Sequence, residues 1–197
     1  MNDDLIKQNR DVIKGSVYDV ATSKGVKPED VLAEADVVVM IDISSSMTDR
    51  TNDGRTRFDK AVDALTDIQK SFPGRVVLIS FADGAKMELS GMPTRPSGMT
   101  NIKGALEIAK NFDGMDTKFY LISDGEPNCG PDSDIFDLAA TFEDPINCIF
   151  IGEDRDLDGI AFMKELAKLT GGVDSGRIEP SMLGDTIKLL ITGNQNG

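Results

Sequence analysis

The stretch "VVVMIDISSSM", Val37 to Met47, decides the fold. Five apolar residues in a row are too many for a half-exposed strand, which would alternate, and too few for a membrane span. They fit a central strand of a parallel sheet, buried on both faces. The run ends in Asp42 and three serines, so its carboxyl end carries polar groups that a buried strand has no use for. Three further runs have the same character: Val76 to Phe81, Phe119 to Ile122 and Cys148 to Ile151.

Between and after these runs lie segments of helical period. Phe58, Ala61, Val62, Leu65 and Ile68 form one apolar face, Ile135, Leu138, Ala139 and Phe142 a second, and Ile160, Met163, Leu166 and Ala167 a third. "NIKGALEIAKNF" and "MLGDTIKLLIT" read as two more helices, and "AKMELSGM" follows the second strand closely enough to be an antiparallel edge strand. Strand alternating with helix predicts an α/β, doubly wound, mostly parallel sheet with one antiparallel edge strand and helices on both faces. Residues 1–35 break the pattern. Leu5, Ile6, Val12 and Ile13 predict one amphipathic helix, and "KPEDVLAEA" a second, with Pro28 in its first turn. The expected division is an N-terminal helical arm over 1–35, the α/β domain over 36–193 and a polar tail over 194–197.

Composition narrows the chemistry. With 34 acidic against 21 basic residues in 197, the formal charge of −13 opposes a phosphate backbone, and no basic patch in the sequence counters it. No apolar run has membrane length, and the N-terminus carries acids where a secretory signal has a basic region, so a cytoplasmic protein, monomeric on its own, is expected. Cys129 and Cys148 are then expected to be reduced. The chain has no histidine. That removes His-based acid–base catalysis, Ser-His and Cys-His nucleophiles and the common zinc sites. Any metal must be held by oxygen.

In an open parallel sheet, ligands bind outside the carboxyl ends of the strands where strand order reverses. The four runs end in Asp42, Ser44 and Ser46; in Ser80 and Asp83; in Ser123, Asp124 and Gly125; and in Glu153 and Asp154. If the first and third runs are neighbours, Asp42 and Asp124 face each other with the serines above them. Carboxylates and hydroxyls converging without nitrogen or sulfur describe a hard-cation site of the Mg²⁺ kind, which keeps positions open for water or an outside ligand. The same residues read as turn and helix caps would carry no metal.

"DISSS" resembles the Asp-x-Ser-x-Ser signature of the von Willebrand factor type A (vWA) domain, "GMT" at Gly98 to Thr100 its threonine loop, and "LISDGEP" its second aspartate loop. The resemblance covers about 36–191 and implies a metal-ion-dependent adhesion site: Asp42, Ser44, Ser46, Thr100 and Asp124 around one Mg²⁺ or Mn²⁺, directly or through water. It further implies capture of a partner protein's glutamate or aspartate on the cation. Intracellular relatives act with AAA+ ATPases or within stress-response and phage-associated systems. Ser45 departs from the family, which often has glycine there.

The expected function is thus a binding module rather than an enzyme. The rival is a Mg²⁺-dependent phosphoester hydrolase in the same crevice, disfavoured because no histidine or lysine base and no arginine is expected to converge there. A calcium-binding structural domain is a third reading. "DRDLDGIAFMKE" matches the calcium-loop template with Asp154, Asp156, Asp158 and Glu165, although a strand precedes it and a helical face begins within it; the simpler reading makes Asp158 a helix N-cap. "DRTNDG", Asp49 to Gly54, has Lys60 where such a loop needs its closing acid. Met47, Met92 and Met99 flank the site and suit either an adaptable apolar rim or ordinary gap-filling.

Overall fold

The computed structural model describes residues 12–125, 127–153 and 155–193. Six strands form one sheet: β1 (Val37–Asp42), β2 (Val76–Phe81), β3 (Ala85–Met87), β4 (Lys118–Ser123), β5 (Ile146–Phe150) and β6 (Asp174–Arg177). Their order is β3-β2-β1-β4-β5-β6, with every pair parallel except β2 with β3. The doubly wound sheet with one antiparallel edge strand is therefore present as expected from the strand and helix pattern. β6 is an addition. Its sequence, Asp-Ser-Gly-Arg, is half-buried throughout and carries neither an apolar run nor an alternation, so no strand signal was there to read.

Alternate residues of each strand feed opposite faces. Val38, Met40, Val77, Ile79, Phe81, Phe119, Leu121, Cys148 and Phe150 build one core, covered by Ile102–Ala109, Asp132–Ala139 and Leu157–Thr170, here α4, α5 and α6. Val37, Val39, Ile41, Val76, Leu78, Tyr120, Ile122 and Ile149 build the other, covered by Arg57–Ser71 and Leu183–Gly193, here α3 and α7. β1 and β2 are buried at every residue, which is why their sequences read as unbroken apolar runs.

Residues ahead of β1 hold two short helices, α1 (Val17–Lys24) and α2 (Pro28–Leu32). Leu5 and Ile6 lie outside the described residues. Val12 and Ile13 are not helical: the chain turns at residues 14–16 and α1 begins only after the Ser16 cap, whose hydroxyl accepts from Asp19 N at 3.3 Å. Val17, Ala21 and Val31 bury against Leu89, and Ile13 N and Tyr18 N donate to Ser90 O and Leu89 O, both at 2.9 Å. By the β2–β3 register these contacts lie at the end of the sheet away from the carboxyl ends of the parallel strands.

The strand order reverses between β1 and β4, whose register pairs Ile41 with Ile122. Asp42 and Ser123 thus end side by side at the switch point. Six of the eleven buried polar side chains among the described residues gather there: Asp42, Ser44, Arg57, Thr100, Ser123 and Asp124. Burying polar groups is costly unless they are partnered, so their concentration marks this end of the sheet for a role other than stability.

Candidate metal centre

The centre is built by a turn that β1 makes on itself. Asp42 Oδ1 accepts from Ser44 N at 2.7 Å, a side-chain-to-backbone turn that carries the chain into one 3-10 turn over Ser45–Thr48. Ile43 is drawn into the core, while the Ser44 and Ser46 hydroxyls stand 3.0 Å apart over the end of the strand. From β4, Ser123 Oγ donates to Asp42 Oδ2 at 2.6 Å, and Asp124 Oδ1 accepts from Ser46 Oγ at 2.7 Å. Two bonds across the crevice, Ser123 to Asp42 and Ser46 to Asp124, thereby join the β1 and β4 ends.

Thr100 arrives on a separate loop, and its neighbours account for its position. Ser97 N donates to Ile43 O at 2.9 Å, and Ser45 presents both its backbone N and its hydroxyl to Gly98 O, each at 3.2 Å. The serine that departs from the family pattern thus ties the first turn to the threonine loop. Gly98 has φ +85°, and a Cβ there would sit 2.6 Å from the Asp83 carboxylate, which itself accepts from Met99 N at 2.8 Å. Thr100 N donates to Asn128 Oδ1 at 2.7 Å and Thr100 O accepts from Asn128 N at 3.2 Å, so the loop after Asp124 is a clamp as well as a connection. Thr100 is buried.

Burial pushes the Asp42 carboxyl up to about 6, with the charge of Asp124 adding to the effect and the hydrogen bonds from Ser123 and Ser44 opposing it. The carboxylate is short of positive charge. One cation is nonetheless present: Arg57, first residue of α3 after the Thr56 cap, places Nη1 2.7 Å from Asp124 Oδ2 and 3.3 Å from Ser46 O. Nη1 also lies 3.5 Å from Asp49 and Nη2 3.7 Å from Glu153. The expectation that no arginine converges on the crevice is overturned. The Thr56–Asp59 capping box marks the start of α3 in the sequence, and a charged first-turn residue there reads as solvated.

The remaining strand-end residues go elsewhere. Ser80 donates to Glu88 at 2.7 Å, Asp83 supports the threonine loop, and Glu153 is half exposed. The calcium template does not form a loop: α6 starts at Leu157, its N-cap is Asp156 accepting from Gly159 N at 3.0 Å rather than Asp158, Glu165 stands exposed two turns along, and Asp154 lies outside the described residues. In "DRTNDG", Lys60 pairs with Asp53 at 2.9 Å, closing the turn with a cation instead of a metal. Met47 is fully buried in the core beneath the turn, whereas Met99 is half exposed at the rim. Cys129 and Cys148 are both free.

Among the described residues no three carboxylates or thiols converge into a ready-made cage. The donors that do converge are the two carboxylates of Asp42 and Asp124 and the hydroxyls of Ser44 and Ser46, with the Thr100 loop docked beside them. All are hard oxygens. That set suits a small divalent cation with open positions better than a closed protein cage.

Residues 37–107 match the family profile of the von Willebrand factor type A domain. The match takes in β1, β2 and β3, and the sheet as a whole has the fold of the solved structures described next. This is the vWA fold. Solved structures similar to the chain include the conserved hypothetical protein BatB from Bacteroides thetaiotaomicron, at 18% identity and TM-score 0.59 over 83% of this chain and 100% of that one. Another is an aerotolerance-related membrane protein from Bacteroides fragilis, at 18% identity and TM-score 0.57 over 81% and 99%. A third is the manganese-loaded TRAP protein of Plasmodium vivax, at 12% identity and TM-score 0.52 over 80% and 73%. At these identities the likeness is one of fold. No curated protein matches the chain in sequence. Among the described residues, no helix is long and apolar enough to cross a membrane.

Proposed function

We propose that this vWA domain captures a partner protein through a divalent cation, Mg²⁺ or Mn²⁺, held by Asp42, Ser44, Ser46, Thr100 and Asp124. The observation that carries the proposal is the switch-point cluster, in which residues just past the ends of β1 and β4 and 78 positions apart, Ser46 and Asp124, meet at 2.7 Å within an all-oxygen set. Serine and threonine hydroxyls are neutral ligands, so two aspartates leave a bound cation electron-poor, and a carboxylate from outside completes it. A Glu or Asp of the partner is the fitting group. The manganese carried by the TRAP protein supports the choice of metal.

The chain's own residues do the positioning. Asp42 fixes the serine turn, Ser123 orients Asp42, Ser45 and Asn128 hold the threonine loop, and Arg57 orients Asp124. No lysine or histidine stands among these groups, and the carboxylates of Asp42 and Asp124 are taken up by Ser44, Ser123, Ser46 and Arg57, which favours a binding module over a hydrolase. The reading places the protein in the cytoplasm, monomeric by itself, with an AAA+ ATPase as one class of partner; the family resemblance is what supports this.

Thermal unfolding of the wild type and Asp42→Ala in EDTA, Mg²⁺, Mn²⁺ and Ca²⁺ tests the proposal, because a ligand that binds only the folded state raises its stability. Mg²⁺ and Mn²⁺ raise the wild-type midpoint, and the substitution removes the rise. A midpoint indifferent to every cation up to millimolar concentration would reduce the serines to turn chemistry.

A further inference from the structure

Arg57 is oddly placed for a helix residue. A cation at the first position of α3 opposes the helix dipole, so another interaction must compensate for it. That interaction is with Asp124, whose side chain is fully shielded from water while the arginine side chain is 10% exposed. Asp49 and Glu153 also lie near the guanidinium, but their side chains are 61% and 47% exposed and their charges are screened by solvent. The pairing that counts is the shielded one.

We infer that Arg57 is a built-in counter-ion that weakens the hold of the bare cation and makes cation occupancy and carboxylate capture reinforce each other. The inference rests on the cation site proposed above. Asp42 and Asp124 contribute two formal negative charges and Arg57 one positive charge, which leaves the cluster at −1. A divalent cation takes it to +1, and one carboxylate of a partner returns it to zero. Without Arg57 the cation alone would neutralise the aspartates, and an incoming carboxylate would bring unbalanced charge into a shielded place. The arginine therefore repels the cation in the empty site and attracts the anion in the loaded one. Linkage requires the converse: the carboxylate tightens cation binding by the same factor that the cation tightens carboxylate binding.

The geometry adds selectivity. Arg57 occupies Asp124 Oδ2 at 2.7 Å, leaving Oδ1, which now accepts from Ser46, as the oxygen open to a cation or its water. Binding of a cation through both oxygens would have to compete with the arginine for Oδ2. Ca²⁺, which uses bidentate carboxylates and six to eight ligands, loses more by this than Mg²⁺ or Mn²⁺.

The test is a Mn²⁺ titration of the full chain, followed by the electron paramagnetic resonance of free Mn²⁺. It is run with and without acetate as the carboxylate probe, at fixed ionic strength and corrected for acetate's own hold on Mn²⁺. The variants are Arg57→Met, Arg57→Gln, which keeps an amide donor toward Asp124 without charge, and Arg57→Lys. Removal of one positive charge from the rim of a shielded site tightens Mn²⁺ binding by about tenfold or more. Acetate tightens Mn²⁺ binding to the wild type and does so much less in Arg57→Met and Arg57→Gln, while Arg57→Lys restores the wild-type pattern. Equal or weaker Mn²⁺ binding by both neutral variants, or an undiminished acetate effect, overturns the inference and leaves the cation site standing. Absence of Mn²⁺ binding in the wild type and every variant overturns both.

Discussion

Asp42→Asn should stabilise the metal-free protein and abolish its response to metal. In the folded state the carboxyl is pushed from its ordinary value of 3.8 up to about 6, mainly by burial. A carboxyl raised by folding favours the native state while protonated, so that contribution is complete below about pH 4 and is lost as pH rises through 6. At neutral pH the ionised carboxylate costs about 3 kcal/mol of stability, the free-energy equivalent of that displacement. Asparagine removes the charge and keeps the shape. Its Oδ1 can still accept from Ser44 N, and its Nδ2 faces Ser123 Oγ, which already shares its proton with Gly125 O at 3.0 Å.

After an allowance for imperfect hydrogen-bond geometry, the gain at pH 7.5 in EDTA is about 1–3 kcal/mol, or about 3–10 °C in melting temperature for a chain of this size. The assay is thermal or urea unfolding of both proteins from pH 4 to pH 8. The gap between them opens between pH 4 and pH 6 and is near zero below. An asparagine variant no more stable than the wild type at pH 7.5, or a gap that does not change with pH, would refute the reasoning. A stabilising change that destroys the site is the expected signature of a residue kept for binding.

Three other outcomes follow from the supports of the site. Gly98→Ala forces a side chain into a positive-φ position against Asp83 and costs about 1–3 kcal/mol by urea unfolding, with weaker Mn²⁺ binding as the loop shifts. Asn128→Ala leaves Thr100 N without its partner, costs about 1 kcal/mol and weakens Mn²⁺ binding measured by titration, although Asn128 lies outside the proposed ligand set. Glu165→Gln does not alter the melting temperature in Ca²⁺, because the residue lies exposed along α6 and closes no loop.

Sequence legibility followed burial. β1 and β2, covered on both faces, appear as unbroken apolar runs, and the helix faces built on Leu65, Leu166 and Ile135 follow the helical period. β6 is half-buried and polar at the sheet edge, and left no pattern. In the candidate site, the meeting of Asp42, Ser44, Ser46 and Asp124, with the Thr100 loop beside them, was legible because strand ends and a three-part motif point to them, while their role as metal ligands is the proposal above. Arg57 and Asn128 were not, since each acts through a partner distant in sequence, Arg57 through Asp124 and Asn128 through Thr100; Ser123 stood out as a strand-end residue, but its bond to Asp42 did not. A trace of Arg57 was available. A first-turn arginine sits against the helix dipole, and such a conflict between local preference and position often marks a functional group. Asp156 displaced Asp158 as the cap of α6 because Asp156 O accepts from Ile160 N at 3.2 Å, which starts the helix before Asp158.

The central claim, a divalent cation held at the β1–β4 switch point, is tested most directly by crystals of the protein grown or soaked with Mn²⁺ and an anomalous difference map. The account predicts one dominant peak enclosed by Asp42, Ser44, Ser46, Thr100 and Asp124, with direct oxygen ligands at about 2.1 Å. A map without a peak there while another part of the molecule, such as the Asp156 to Glu165 segment, carries one would contradict it.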